Sequence, residues 1–237
     1  MKWVPDRTGR FVKRPHYFPE ELDAECEQII LSFLKKKYGK AEFPIKTDDL
    51  TILIEQNATL DSCADLSHEE GDVEGVTEFV RGKRPLIKIS NSLSSGPHSE
   101  NRLRTTLTHE YGHVHFHQRM FEVEAMAPSL FSSGGETHSN KCKRDKILNA
   151  VETDWMEWQA GYVCGAFLMP IGALLETVQT FRINNNLPFA NLALGSKVGQ
   201  RLIAAVATTF QTSEDAARVR LLKKRILKEE AATRELF

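Results

Sequence analysis

Residues 103–118 read LRTTLTHEYGHVHFHQ. Leu103, Leu107 and Val114 recur at the spacing of one helical face, so a helix is expected over about residues 101–118. On a helix, residues four apart project from nearly the same side, about 40° apart in angle and one turn apart in height. His109 and His113 therefore suit a shared metal ion. Zinc accepts imidazole nitrogen at about 2.0–2.1 Å and in a catalytic site keeps one of its four positions open for water. Glu110 points too far round to join the two histidines, and that offset suits a general base taking a proton from water acidified by the ion. Gly112 is expected to leave the backbone uncrowded beside them. His115 and His117 extend the cluster, but His117 would sit about 12 Å from His109 along a continuous helix, too far to share one tetrahedral ion. Both are read as exposed polar residues at the helix end. A metzincin would carry Gly at position 116 and His at position 119, where this chain has Phe116 and Arg119, so that class is excluded.

Two histidines alone hold zinc weakly, so a third ligand is required. The downstream candidates are Glu122, Glu124, Glu136, His138, Cys142, Glu152, Asp154 and Glu157. Glu122 and Glu124 follow the motif too closely for the chain to turn back, and Glu136, His138 and Cys142 fall in a polar loop, a poor rigid platform. Glu157 stands in an expected helix, about residues 147–169, that is apolar almost all round, and a buried carboxylate there is costly unless paired or bound to a metal. Periodicity leaves open whether it is a ligand or shares a thin solvated stripe with Asp154.

Upstream, residues 73–80 and 86–90 have strand character and are separated by Arg81-Gly82-Lys83-Arg84-Pro85, which reads as a hairpin. Amphipathic helices are expected over residues 20–38, with Gly39 as a stop, and from Thr47 onward. Residues 1–19 are basic and interrupted by Pro5 and Pro15, and read as an arm or short hairpin turning at residues 6–9. Residues 128–146 break helical periodicity and read as a loop. Residues 192–210 and 213–230 read as two helices joined by a short turn, with Ser213 as N-cap. The domain reading is an arm at 1–19, a main domain at 20–175 and a helical subdomain at 176–237 with a helix-turn-helix-like pair.

The 237 residues carry 31 Lys plus Arg against 32 Asp plus Glu, so no global basic field draws in nucleic acid. Arg218, Arg220, Lys223, Lys224, Arg225 and Lys228 form a local basic patch, offset by neighbouring acids, so DNA contact by the last helix pair is an alternative of lower rank. Cys26, Cys63, Cys142 and Cys164 lie far apart and read as free thiols of a reducing compartment. No export signal and no membrane span are read, which makes the cytoplasm the expected location.

The chain resembles the ImmA/IrrE-type metallopeptidases. The likeness rests on the hairpin followed by His109-Glu110-Tyr111-Gly112-His113 and on a later helix patterned ExxANxFAxxLLMP, where Glu157, Ala160 and the ending Leu168-Met169-Pro170 match. Residues 204–221 also look like that family's FxVSxxAxxxRL stretch, and the similarity spans about residues 20–228. The resemblance implies an α+β, zincin-like core with a small sheet above the active-site helix, and a helical C-terminal subdomain. It also implies Zn2+ held by His109, His113 and Glu157, with Glu110 as the catalytic residue. Gly161 stands where the family has Asn, Val163 where it has Phe, and Gly165 one step after the usual Ala. Gly161 cannot orient a zinc histidine as an Asn could, which leaves that role to Asp154 or another residue. Family members cleave helix-turn-helix repressors, so the implied partner is a protein substrate of that class. Residues 73–80 are expected to pair with extended substrate if they lie at a sheet edge. Tyr111 and His138 are candidate donors to the oxyanion.

Overall fold

The computed structural model of the chain describes residues 1–69, 72–94, 99–126, 137–143, 154–187 and 192–229; for residues 94, 99, 123–126 and 137–143 the description is of the backbone alone. The chain opens with a hairpin of β1 (Lys2–Pro5) and β2 (Lys13–His16). Asp6 organises the connection, accepting from the backbone N–H of Thr8 at 3.0 Å and of Phe11 at 3.1 Å. The turn therefore runs over residues 6–12, longer than the expected 6–9.

Helix α1 (Pro19–Tyr38) begins with proline at its first turn and with Glu21 accepting from the Phe18 N–H, and it ends where Gly39 takes a left-handed φ of 76°. Its Leu22, Cys26, Ile30, Phe33 and Leu34 enter the core. Helix α2 (Thr47–Glu55) follows, then β3 (Thr59–Ala64), β4 (Val73–Val80) and β5 (Leu86–Ser90). Helix α3 (Ser99–Met126) carries the HExxH segment, starts within two residues of the expected position and runs about two turns past the expected end at residue 118. Then come β6 (Thr137–Lys143), α4 (Trp155–Leu168) and α5 (Ile171–Asn184). A two-residue strand β7 (Leu192–Ala193), α6 (Lys197–Phe210), α7 (Glu214–Lys223) and β8 (Leu227–Lys228) complete the described chain.

The main sheet has the order β3-β5-β4-β6, with β3 parallel to β5 and the other pairs antiparallel. The architecture is α+β. Strand β4 lies inside the sheet between β5 and β6, so the expectation that it offers a free edge to substrate is corrected: its hydrogen-bonding groups on both sides are taken. Its alternate residues face α3, with Gly75 and Thr77 against Glu110 and Phe79 stacked on Phe121 at 4.3 Å. Val76, on the other side, joins Ala64, Leu66 and Val73.

Helix α6 starts at Lys197 instead of 192, and α7 stops at Lys223 instead of 230, because the flanking residues pair as the parallel strands β7 and β8. Ser213 does cap α7, its hydroxyl accepting from the Ala216 N–H at 3.1 Å. Leu202, Val206, Phe210 and Leu221 of these last helices share one apolar cluster with Ile30, Leu50 and Phe167. A buried ionic group reinforces this docking. Arg220 lies 2.6 Å from Asp23 as an ion pair, Lys224 reaches the other Asp23 oxygen at 2.7 Å, and Tyr162 donates to it at 2.9 Å. Removing one partner of a buried pair of this kind costs about 3–5 kcal/mol. The basic patch expected on the last helix pair is thus partly spent: Arg220 is buried and paired, Lys224 is paired, and Arg218 binds Asp215.

Arg104 is fully buried and serves as a cap from outside the helix, donating to the carbonyls of Phe210 and Gln211 at the end of α6 and to Ile45 ahead of α2. Among the described residues, no single helix is long and apolar enough to cross a membrane. Cys26, Cys63 and Cys164 are free thiols, the first and last of them buried.

Candidate metal centre

Helices α3 and α4 pack antiparallel, and small residues set how closely. A Cβ on Gly112 would come within 2.6 Å of Val163 Cγ2 and 3.4 Å of the Ala160 backbone. Gly112 thus serves the approach of α4; its backbone is crowded, contrary to the expectation from sequence. Further along the seam, the Thr108 hydroxyl donates to Cys164 Sγ at 3.3 Å, and burial pushes the Cys164 thiol up to about 11. This spacing carries Glu157, in the first turn of α4, over the two histidines of α3.

His109 Nε2, His113 Nε2 and the Glu157 carboxylate form a triangle. The two nitrogens are 3.2 Å apart, His109 Nε2 is 3.2 Å from Glu157 Oε2, and His113 Nε2 is 3.3 Å from Oε1. Neighbouring ligands of one tetrahedral ion, at bond lengths near 2.0–2.1 Å, are separated by about 3.3–3.4 Å. Two imidazole nitrogens this close share either a proton or a cation. Two imidazoles and a carboxylate, all buried, make a donor set suited to a divalent transition ion. The residues present fit a metal ion, and Glu157 is among them.

The electrostatics agree. Burial works against charge on His113, but Glu157 beside it leaves its pKa raised. Glu157 also pays for its burial, and His113 and His109 nevertheless hold its carboxyl far below the usual range. No curated protein and no family model matches the chain. The chemistry of the site therefore stands on its own geometry.

Glu110 is fully buried beside the triangle. Thr77 Oγ1 donates to its Oε2 at 2.5 Å, while Oε1 has no hydrogen-bond partner among the described residues. Burial raises its pKa, and the neighbouring histidines offset this only in part. A Cβ on Gly75 would stand 2.6 Å from Glu110 Oε1 and 2.8 Å from Thr106 Cγ2, so the strand can pass this close only as glycine.

Several expectations are redrawn here. His115 is exposed, but His117 is fully buried, with its Nδ1 3.1 Å from His113 Nδ1 and its Nε2 3.1 Å from Gln159 Oε1. Burial pushes its pKa down to about 3, so it is neutral at ordinary pH. The partner of His113, sought at Asp154 because Gly161 cannot give it, is His117; Asp154 lies at the N-cap of α4, 4.0 Å from Arg10. Tyr111 is packed in the core with its hydroxyl accepting from Asn57, away from the triangle, and burial raises its pKa to about 12. Glu122 accepts from Gln118 on the surface of α3. The side chains of Glu124, His138 and Cys142, and residues Glu136 and Glu152 altogether, lie outside the described residues. Sequence reasoning did not find Thr77, Gly75 or Gln159. A glycine inside the strand Val73–Val80 was the available signal for the second of these.

Proposed function

We propose that the chain is a zinc-dependent, site-specific endopeptidase, with His109, His113 and Glu157 as zinc ligands and Glu110 as general base. The observation that carries this is the buried triangle of two imidazoles and a carboxylate with a second carboxylate, Glu110, alongside and half unsatisfied. A zinc ion held by these ligands supplies Lewis acidity, which acidifies water and polarises a peptide carbonyl. Glu110 Oε1 then accepts the proton of the attacking water as the C–O bond forms, and returns it to the departing amine as the C–N bond breaks. Thr77 holds the other oxygen, so the carboxylate presents one face to the reaction. An extended substrate segment fits the outer edge of β6, which among the described residues has β4 as its one neighbour.

The resemblance to ImmA/IrrE-type peptidases supports a helix-turn-helix repressor as substrate. Purified protein should leave casein nearly intact and cut a cognate repressor at one or very few sites, only with metal present. Mass spectrometry of both incubations, with and without chelator, checks this. Broad chelator-sensitive digestion of casein would make it a general peptidase, and no cleavage by zinc-loaded protein would favour the alternative, a DNA-binding or partner-binding regulator that retains zinc.

A second test probes the strand behind the base. Gly75→Ala forces Glu110 or Thr106 to shift, and a displacement of about 1 Å at a catalytic group costs about 10²-fold in rate. Zinc content should stay near the parent value while cleavage falls by that factor. Parent-like cleavage would mean that Glu110 does not need its observed position.

A further inference from the structure

Behind His113, away from the triangle, runs a buried series of hydrogen bonds that ends in the N-terminal hairpin. His113 Nδ1 meets His117 Nδ1 at 3.1 Å, His117 Nε2 meets Gln159 Oε1 at 3.1 Å, and Gln159 Nε2 donates to the Pro15 carbonyl at 3.2 Å. The last link sets the direction of all the others. A carbonyl oxygen only accepts, so Gln159 must turn its NH2 to Pro15 and its oxygen to His117. His117 then donates from Nε2. Its ring nitrogens face an imidazole and an amide oxygen, with no carboxylate to hold a second proton, so its Nδ1 is an acceptor. His113 must therefore donate from Nδ1, which leaves its Nε2, facing His109 and Glu157, as the nitrogen whose lone pair a metal takes in place of a proton. Reversing the amide of Gln159 would set two carbonyl oxygens against each other.

We propose that His117 is a positioning residue that, set by Gln159 and the Pro15 carbonyl, fixes His113 in the tautomer and ring orientation that bind metal. The N-terminal hairpin is thereby part of the metal centre's support. This rests on the reading of His113 as a ligand. Two contacts show that the support is built. Trp155 stands edge-on to His117 at 5.4 Å, and its indole N–H donates to Asp6 of the same hairpin at 3.2 Å. The other histidine differs: His109 Nδ1 is buried with no hydrogen-bond partner among the described residues. His113 is the ligand held from behind by the protein, and it is the one whose orientation the hairpin governs.

The test is zinc affinity, measured on the full chain by competition with a chromophoric chelator. His117→Phe should bind zinc about 10–100-fold more weakly, the usual loss when the partner of a metal histidine is removed. Gln159→Leu should weaken binding in the same direction by a smaller factor. His117→Gln, whose amide oxygen can accept from His113, should recover part of the loss. Thermal melts of the metal-free proteins separate this from a folding defect, and Gln159→Leu serves if His117→Phe does not fold. Nitrogen-15 spectra of histidine-labelled, metal-free parent should show His117 protonated at Nε2 alone. Parental affinity in both His117→Phe and Gln159→Leu, or a proton on His117 Nδ1, overturns the proposal while leaving the zinc reading intact. A parent chain that binds no zinc overturns both.

Discussion

Glu157→Ala should lose most of its zinc, by more than the 10–100-fold that a supporting residue contributes. Glu157 brings the one negative charge of the triangle and stands 3.2–3.3 Å from both imidazole nitrogens. Without it, the remaining two ligands are neutral rings and no ligand carries a charge to offset that of an ion in a buried site. The loss also appears in stability. A ligand present at 100 times its Kd stabilises the folded state by about 2.7 kcal/mol, so zinc should raise the melting temperature of the parent and leave that of Glu157→Ala almost unmoved. Glu136→Ala and Glu152→Ala should bind zinc like the parent. If Glu157→Ala binds one zinc with parental affinity, the carboxylate is not a ligand and the assignment of the centre fails.

The second large effect is on turnover alone. Glu110→Gln should keep close to one zinc per chain while cleavage falls by about 10²–10⁴-fold, because the amide cannot accept a proton. The same change should make the metal-free fold more stable. Burial raises the pKa of Glu110, so the folded state disfavours the carboxylate at neutral pH relative to the unfolded chain, and a neutral isostere removes that cost. The sign follows from the direction: the cost is present above the ordinary carboxylate range and vanishes as pH falls and Glu110 protonates. Metal analysis, a cleavage assay and a melt on one sample decide the matter. Undiminished cleavage would remove Glu110 from the mechanism.

The strands at Val73–Val80 and Leu86–Ser90 and the helix with His109 and His113 were legible because each carries a clear period or a fixed spacing. Strand β3 was not, since TLDSCA faces solvent at most positions and shows no alternation. Strand β6, with the sequence THSNKCK, reads as a polar loop, and its strand form depends on pairing with β4, which no local pattern announces. Glu157 was ambiguous for a physical reason: α4 is buried on nearly every side, so its periodicity gives no direction in which one carboxylate should point. His117 shares a helical face with His113, and the reading of it as exposed failed because the hairpin and α4 that cover it come from distant segments. Thr77 reaches Glu110 across the same kind of gap, through a strand packed on a helix.

His109, His113 and Glu110 expose none of their surface, and Glu157 exposes 6%. Exchange of an ion at such a centre is governed by kinetics of opening. On the proposed reading, a chelator and a peptide substrate alike reach the ligands only when the fold opens around them, so the rate of metal loss should level off as chelator concentration rises. Brief chelation would then leave occupied protein behind, and apo protein is better made by holding the chain under mildly destabilising conditions with chelator present and returning it to buffer.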